Sequence, residues 1–331
     1  MTLNHSLRRW PLALLIAALA TVQGCNEQAA HSPAPAAAVH AAPGAFSPVS
    51  VQHQLGTTLI QQVPQRVVAL DMNEVDFLDQ LGVSVQGMPK DFIPDFLARY
   101  REAPGVADLG AIVQPNLERV HGLKPDLILI TSLQANHYQE LSEMAPTVHF
   151  DVDYRDSANR HIEIIREHLL TLGQIFDKQA LAQDKAKMLD AQVEEARRVT
   201  QGRPEKALVV LHNNGAFSSF GVQSRYGFIF NALGVKPASP IAETGLHGQP
   251  ISSEFIQQAN PDILYVVDRT AVMERRPVLD AQRLDNPLLR QTNAWKNGRV
   301  IFVDAQAWYV TGASPTALKL IIDDVLKGYR S

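Results

Sequence analysis

Four side chains in the second half of the chain are of types that can do chemistry together. His247 stands in GLHGQP with a glycine on each side of the Leu-His pair, Tyr309 in AWYVTGAS, Arg225 in SRYGF, and Arg269 at the end of VVDR. An imidazole nitrogen and a phenolate oxygen meeting at one point suit a hard-to-borderline trivalent metal such as Fe(III) better than a soft one. Two protein ligands leave an octahedral ion mostly unfilled, so the remaining donors would arrive with the metal, as a chelator. A guanidinium fork recognises anionic oxygens and stacks on aromatic faces, which gives Arg225 and Arg269 a place beside such a chelate. Each residue also has a plainer reading: a solvated loop histidine, an aromatic pair capping the core, arginines at the surface or in salt bridges. Other chemistries lack their motifs, since the chain has no G-x-S-x-G elbow, no G-x-x-x-x-G-K-S/T phosphate loop, no H-E-x-x-H and no G-x-G-x-x-G.

The elements that must position these residues are duplicated. Short apolar runs (RVVALD, PDLILIT, TVHFDV, KALVVL, PDILYVV, RVIFVD) alternate with longer polar-apolar segments, the signature of parallel α/β units. Residues 107–133 align with 242–269: both copies carry a glycine followed by Gln-Pro (Gly110, Gln114, Pro115; Gly245, Gln249, Pro250) and a glutamate before Pro-Asp (Glu118, Pro125; Glu254, Pro261). The proline predicts the first helical turn, the glutamate suits a helix N-terminus, and Pro-Asp ends the helix and launches a strand. FLDQLGV and FNALGV mark a second matching helix end, each with a terminating glycine. Against that shared scaffold the copies differ at two places, where Ile112 and Leu133 stand opposite His247 and Arg269. Apolar residues satisfy the fold there, so the second copy has added polar groups on the side where a cleft would lie.

The pattern predicts an α/β fold of two Rossmann-like lobes joined by a long rigid helix. Ile162, Ile165, Leu169, Leu172 and Phe176 recur at helical spacing, with Asp156 or Ser157 to cap the start. Tyr309 and Trp308 are expected in a loop between a strand ending at Asp304 and a final helix starting near Ser314-Pro315. The expected organisation is a signal peptide over 1–24, a lipid-anchored Ala/Pro-rich tether over 25–46, an N-terminal lobe over 47–154, the interlobe helix over 155–177 and a C-terminal lobe over 178–331.

The N-terminus reads as an export signal: Arg8 and Arg9, an apolar run from Trp10 to Val22, then Gly24 before Cys25. VQGC resembles a bacterial lipobox apart from Gln23, and lipidation of Cys25 would anchor the chain at about 0.8 kcal/mol per buried methylene. Cys25 is the only cysteine, so no internal disulfide can form. With 46% apolar residues the 331-residue chain can bury a large core, and its net charge of −4 argues against a nucleic-acid partner.

The motifs SRYGFIFNALG, HGQPISSEFIQQANPDILYVVDR and AWYVTGAS make residues 50–331 resemble the periplasmic siderophore-binding proteins of ABC iron importers, enterochelin-type (CeuE/FatB-like) group. That resemblance implies a class III periplasmic binding protein fold with a helical backbone. It implies a monomeric substrate-binding lipoprotein in the periplasm or cell envelope, touching the membrane only through its anchor. Such a protein captures a ferric siderophore, of tetradentate catecholate type, in the interlobe cleft and passes it to the permease without catalysis. It implies no intrinsic cofactor, Fe(III) being part of the cargo. By the same resemblance His247 and Tyr309 complete the iron shell, Arg225 and Arg269 line an anion pocket, and Glu74 docks on the permease. The group's third arginine, just after the first-lobe Pro-Asp strand, is replaced by Leu133 in TSLQ, which leaves open a mixed-donor or less charged chelator. The alternatives are a haem- or corrinoid-binding protein of the same fold and an envelope iron metalloenzyme.

Overall fold

The computed structural model describes residues 46–152, 160–242, 245, 247–275 and 279–330. A hairpin, β1 (Val49–His53) and β2 (Gly56–Ile60), opens the first lobe. Then follow β3 (Val67–Ala69), α1 (Met72–Gln80), β4 (Val85–Met88), β5 (Ala107–Asp108) and a small hairpin of β6 (Gly110–Ala111) and β7 (Gln114–Pro115). α2 (Leu117–Gly122), β8 (Leu127–Ile130), α3 (Tyr138–Met144) and β9 (Thr147–His149) complete the lobe. Its sheet runs β5-β4-β3-β8-β9, with every pairing parallel. All four residues of β8 are buried, as expected of a central parallel strand covered on both faces.

Two long antiparallel helices follow, α4 (His161–Ile175) and α5 (Gln179–Thr200). α4 buries Ile165, Leu169 and Leu172, and Phe176 beyond its end, while Ile162 is half-buried. It lies within the stretch expected for the interlobe helix; the proposed caps Asp156 and Ser157 fall outside the described residues. Gly173 lets α5 approach, because a Cβ there would stand 2.4 Å from that of Ala182.

The second lobe is not wholly parallel, contrary to the pattern read from the sequence. β10 (Lys206–Asn213) turns straight back into β11 (Ala216–Phe220) as an antiparallel hairpin. Asn214 and Gly215, both at positive φ (50° and 85°), make the turn, the Asn-Gly solution for a two-residue hairpin loop. α6 (Gly227–Asn231), β12 (Lys236–Pro237), β13 (Gln249–Ile251), α7 (Ser253–Ala259), β14 (Ile263–Asp268) and α8 (Arg269–Glu274) come next. α9 (Asn293–Lys296), β15 (Val300–Phe302), α10 (Ala305–Tyr309) and α11 (Pro315–Lys327) end the chain. The sheet order is β13-β11-β10-β14-β15, with β12 beside β10. Leu318, Ile321, Ile322 and Val325 form the buried stripe of α11, each stabilising by about 1.5–3 kcal/mol.

The duplicated segments adopt matching structures. Asn116 and Ser252 cap α2 and α7, with Glu118 and Glu254 in the first turns. Pro115 and Pro250 belong to the preceding strands rather than the first helical turns. Asp126 and Asp262, after the helix-ending prolines, accept from backbone N–H groups of Arg66 and Lys206 at 2.7 and 3.0 Å and so tie each strand to its neighbour.

The lobes are joined by more than α4. Ser314, the residue before α11, makes no capping bond with its own side chain; Asp76 of α1 takes that place. Its carboxylate accepts from the Thr316 N–H at 2.7 Å and hydroxyl at 2.6 Å, and Asn73 accepts from the Ala313 N–H at 3.0 Å. A carboxylate at a helix N-terminus also meets the positive end of the helix dipole.

Candidate functional site

The strand ends of both lobes converge on a cavity of about 480 Å³. Asp71 follows β3, Thr131 to Leu133 follow β8, Phe150 to Val152 follow β9, and Arg269 follows β14, and all line it. Ligands in α/β sheets bind outside the carboxyl ends of the strands, and here two sheets aim those ends at one space.

The second-lobe wall carries the four side chains singled out from the sequence. His247, Tyr309, Arg225 and Arg269 all line the cavity. Tyr309 is the last residue of the short helix α10, not of a loop as expected, because Asp304 caps that helix by accepting from the N–H groups of Gln306 and Ala307 at 3.0 and 2.9 Å. Its neighbour Trp308 is wholly buried, with its indole N–H donating to Asp324 of α11 at 3.0 Å. The pair therefore divides its work: Trp308 fixes α10 to the core, and Tyr309 reaches the cleft.

Arg225, 9% exposed, donates through Nη2 to the carbonyl oxygen of Tyr309 at 2.9 Å, satisfying a group left open at the C-terminus of α10. Arg269 donates through Nε to the Tyr309 hydroxyl at 2.7 Å and through Nη1 to Asn213 Oδ1 at 3.1 Å. Both guanidiniums lie over the phenol ring, 5.3 and 5.5 Å from its centroid. Asn213 owes its position to the Asn-Gly hairpin, whose Asn214 N–H donates to Thr270 beside Arg269 at 2.7 Å.

His247 sits in a turn closed by the Gly248 N–H and the Gly245 carbonyl at 2.9 Å. Gly248 has φ +78°, and a Cβ there would meet the Ser219 carbonyl at 2.7 Å, so this glycine seats the turn on β11 rather than freeing the histidine to swing. Burial, then the charges of Arg225 and Arg269, hold the imidazole below its ordinary value. The neutral ring that results has a lone pair to offer a metal.

The first-lobe wall is of different character. Gln134 accepts from the Thr131 N–H at 3.0 Å and donates to the Ile112 carbonyl at 2.7 Å, fixing the loop that presents Ile112, Val113 and Leu133. Val113 and Leu133 are 65% and 46% exposed, an apolar lip at the cleft. Deeper in are Asp71, Glu74, Asp91 and Asp151, with Phe92 and Phe150, and no lysine or arginine of this lobe lines the cavity among the described residues. Glu74 is only 1% exposed, which removes it from the docking surface proposed for it: its position on α1 turns it inward, toward the cleft. Cys25 lies outside the described residues.

Residues 67–307 match the family described as periplasmic binding protein (Peripla_BP_2). The chain belongs to that family. This periplasmic binding protein is 59% identical over 320 residues to the ferric-anguibactin-binding protein FatB of Vibrio anguillarum, covering 97% of each chain. It is 34% identical to the petrobactin-binding protein YclQ of Bacillus subtilis, covering 85% of this chain and 88% of that one. Among solved structures it is similar to the siderophore-binding protein BauB bound to a complex between two molecules of acinetobactin and ferric iron. That match has 62% identity and a TM-score of 0.83 over 86% of this chain and 99% of that one.

Several cleft residues of the periplasmic binding protein were not singled out from its sequence. Asn213 had a signal in the Asn-Gly pair that follows it, and Asp71 had one in closing the strand-like run RVVALD. Asp91, Phe92 and His168 had none, since they reach the cavity only through tertiary packing.

Proposed function

We propose that this protein captures a ferric siderophore in the interlobe cleft and delivers it to an ABC importer. The observation that carries this reading is the second-lobe wall, where two guanidiniums flank a cleft-facing tyrosine that shares the cavity with a neutral histidine. Iron chelated by anionic oxygens is held by that combination: cations offset the charge, and imidazole and phenolate replace water on the metal. Relatives that bind ferric anguibactin, petrobactin, or acinetobactin with ferric iron support the cargo class.

In this reading His247 and Tyr309 fill the two iron positions that a tetradentate chelator leaves open. Cys25 carries the lipid that tethers the protein in the envelope, and the protein works as a monomer.

The test is a titration of the mature protein with ferric complexes of tetradentate and hexadentate catecholates and with haem, followed by tryptophan fluorescence and visible absorption. The tetradentate complex binds most tightly, with a phenolate-to-iron band that disappears in Tyr309→Phe and a weaker affinity in His247→Ala. Unchanged binding in both variants removes the coordination claim, and preference for haem removes the siderophore.

A further inference from the structure

The cleft is electrically two-sided. Its second-lobe wall presents Arg225 and Arg269, whereas the first-lobe wall presents four carboxyl side chains, Asp71, Glu74, Asp91 and Asp151. A ferric chelate that is anionic all round would suit the arginine wall and meet only acceptor oxygens, with no cation, on the other.

The carboxyls differ in how far the protein satisfies them. Asp71 caps α1, accepting from the Asn73 N–H at 2.8 Å and the Thr131 hydroxyl at 3.3 Å. Asp91 Oδ2 accepts from the Ile112 N–H at 3.2 Å, but its Oδ1 is buried with no hydrogen-bond partner. Glu74 is the extreme case: it lines the cavity, is 99% removed from solvent by its 1% exposure, and its Oε2 has no partner. Burial, with Asp71 and Asp151 nearby, pushes its carboxyl well above the usual range. Such a group is costly to the folded protein, because a buried acceptor without a donor loses its hydration for nothing. Glu74 and Asp91 supply the only carboxylate oxygens left buried and unpartnered among the described residues, and both belong to this wall. A surface-docking role does not account for Glu74, and the packing of α1 uses Val75, Phe77 and Leu78 instead.

We infer that the first-lobe wall is a subsite for a cationic nitrogen arm of the chelator, an ammonium or a similar protonated base, received by Glu74 with Asp91 in support. The cargo is then a bipolar chelate. Its anionic oxygens face Arg225 and Arg269, its cationic arm faces Glu74, and the apolar lip of Val113 and Leu133 covers the body between them. Arg275, which donates to the Asp91 carbonyl oxygen, keeps Asp91 the weaker of the two receivers. The arrangement also fixes which way round the chelate enters, since reversal sets the cationic arm against Arg225 and Arg269 and leaves the anionic oxygens without a cation.

This inference rests on the ferric-siderophore reading of the cleft, and one experiment separates the two. The probes are ferric complexes of two linear tetradentate bis-catecholamides that differ at one linker position, a primary ammonium in one and its N-acetyl derivative in the other. Fluorescence titration of the wild-type protein at neutral pH shows the ammonium chelate binding about tenfold or more tighter. In Glu74→Gln combined with Asp91→Asn, both close to isosteric, that ratio falls to about one. Equal affinity of the two chelates for the wild type overturns the inference and leaves the siderophore reading standing. So does a ratio that survives the double substitution. Failure of both chelates to bind overturns the siderophore reading and the inference together.

Discussion

Arg269 donates to the hydroxyl oxygen of Tyr309 at 2.7 Å, and the same guanidinium donates to Asn213 at 3.1 Å. The tyrosine is held at its other end too, through the carbonyl bound by Arg225. A tyrosine held at its hydroxyl and at its backbone carbonyl gives up little freedom on meeting a ligand. Arg269→Gln removes both the charge and the fork. Its affinity for an anionic ferric chelate falls by about tenfold to a hundredfold. The salt dependence of binding falls with it, since one less cation is screened. Titration at two ionic strengths reads both effects, and an unaltered salt slope would count against direct charge recognition by Arg269.

His247 is held below its ordinary value by burial and then by the two arginines. It is therefore neutral at pH 7, and protons compete with a metal for its nitrogen only below the ordinary histidine range. Affinity for ferric cargo stays level from pH 8 to about 6.5 and declines at lower pH. Replacing Arg225 or Arg269 by glutamine removes a positive neighbour, so the His247 titration midpoint moves up. NMR titration of the imidazole measures that midpoint, and no upward movement in either variant would contradict the assigned cause.

Asp76 caps α11 from the other lobe. Asp76→Ala orphans the Thr316 N–H and costs about 1–3 kcal/mol in urea unfolding. Asp76→Asn, which keeps an acceptor, costs less. Equal stability of Asp76→Ala and the parent would show that the lobes do not depend on this cap.

Burial brings His161 down to about 4, while its Nε2 donates to the Gly312 carbonyl at 2.9 Å and its ring stacks on Phe228. The unfolded chain takes up this proton below about pH 6.5 and the folded protein refuses it, so stability is lost as pH falls from about 6.5 toward 4. Asp71, Glu74 and Asp76, raised by burial, act in the opposite direction, so the comparison must be between parent and variant. In His161→Gln the plot of unfolding free energy against pH is shallower over this window, by about 1.4 kcal/mol per pH unit. An identical slope would mean that His161 does not titrate as assigned.

The second-lobe wall was legible because it stands out against a control inside the chain. Ile112 and Leu133 show that the duplicated scaffold does not require polar groups where His247 and Arg269 stand, and the structure puts all four residues on one cavity. The first-lobe wall was not legible in the same way. Glu74 falls in the first turn of α1, where a glutamate is ordinary, and only the packing of that helix against β3, β4, α4 and α11 shows it turned inward. The parallel pattern hid the β10–β11 hairpin, since an apolar run reads alike whichever way its partner runs; Asn214-Gly215 was the local sign. Tyr309 was expected in a loop because five residues are too few to show helical periodicity, although Asp304 two residues before Gln306 is an ordinary cap.

The bonds from Asn73 and Asp76 to the start of α11 join the lobes beneath the cleft. Lobes bonded to each other in this way resist moving apart, and a smaller population of other shapes brings apparent affinity closer to intrinsic affinity. On the proposed reading the work is deferred to the end of the journey. The importer that takes the iron must either draw it out through the mouth past Val113 and Leu133 or supply the force that parts α1 from α11.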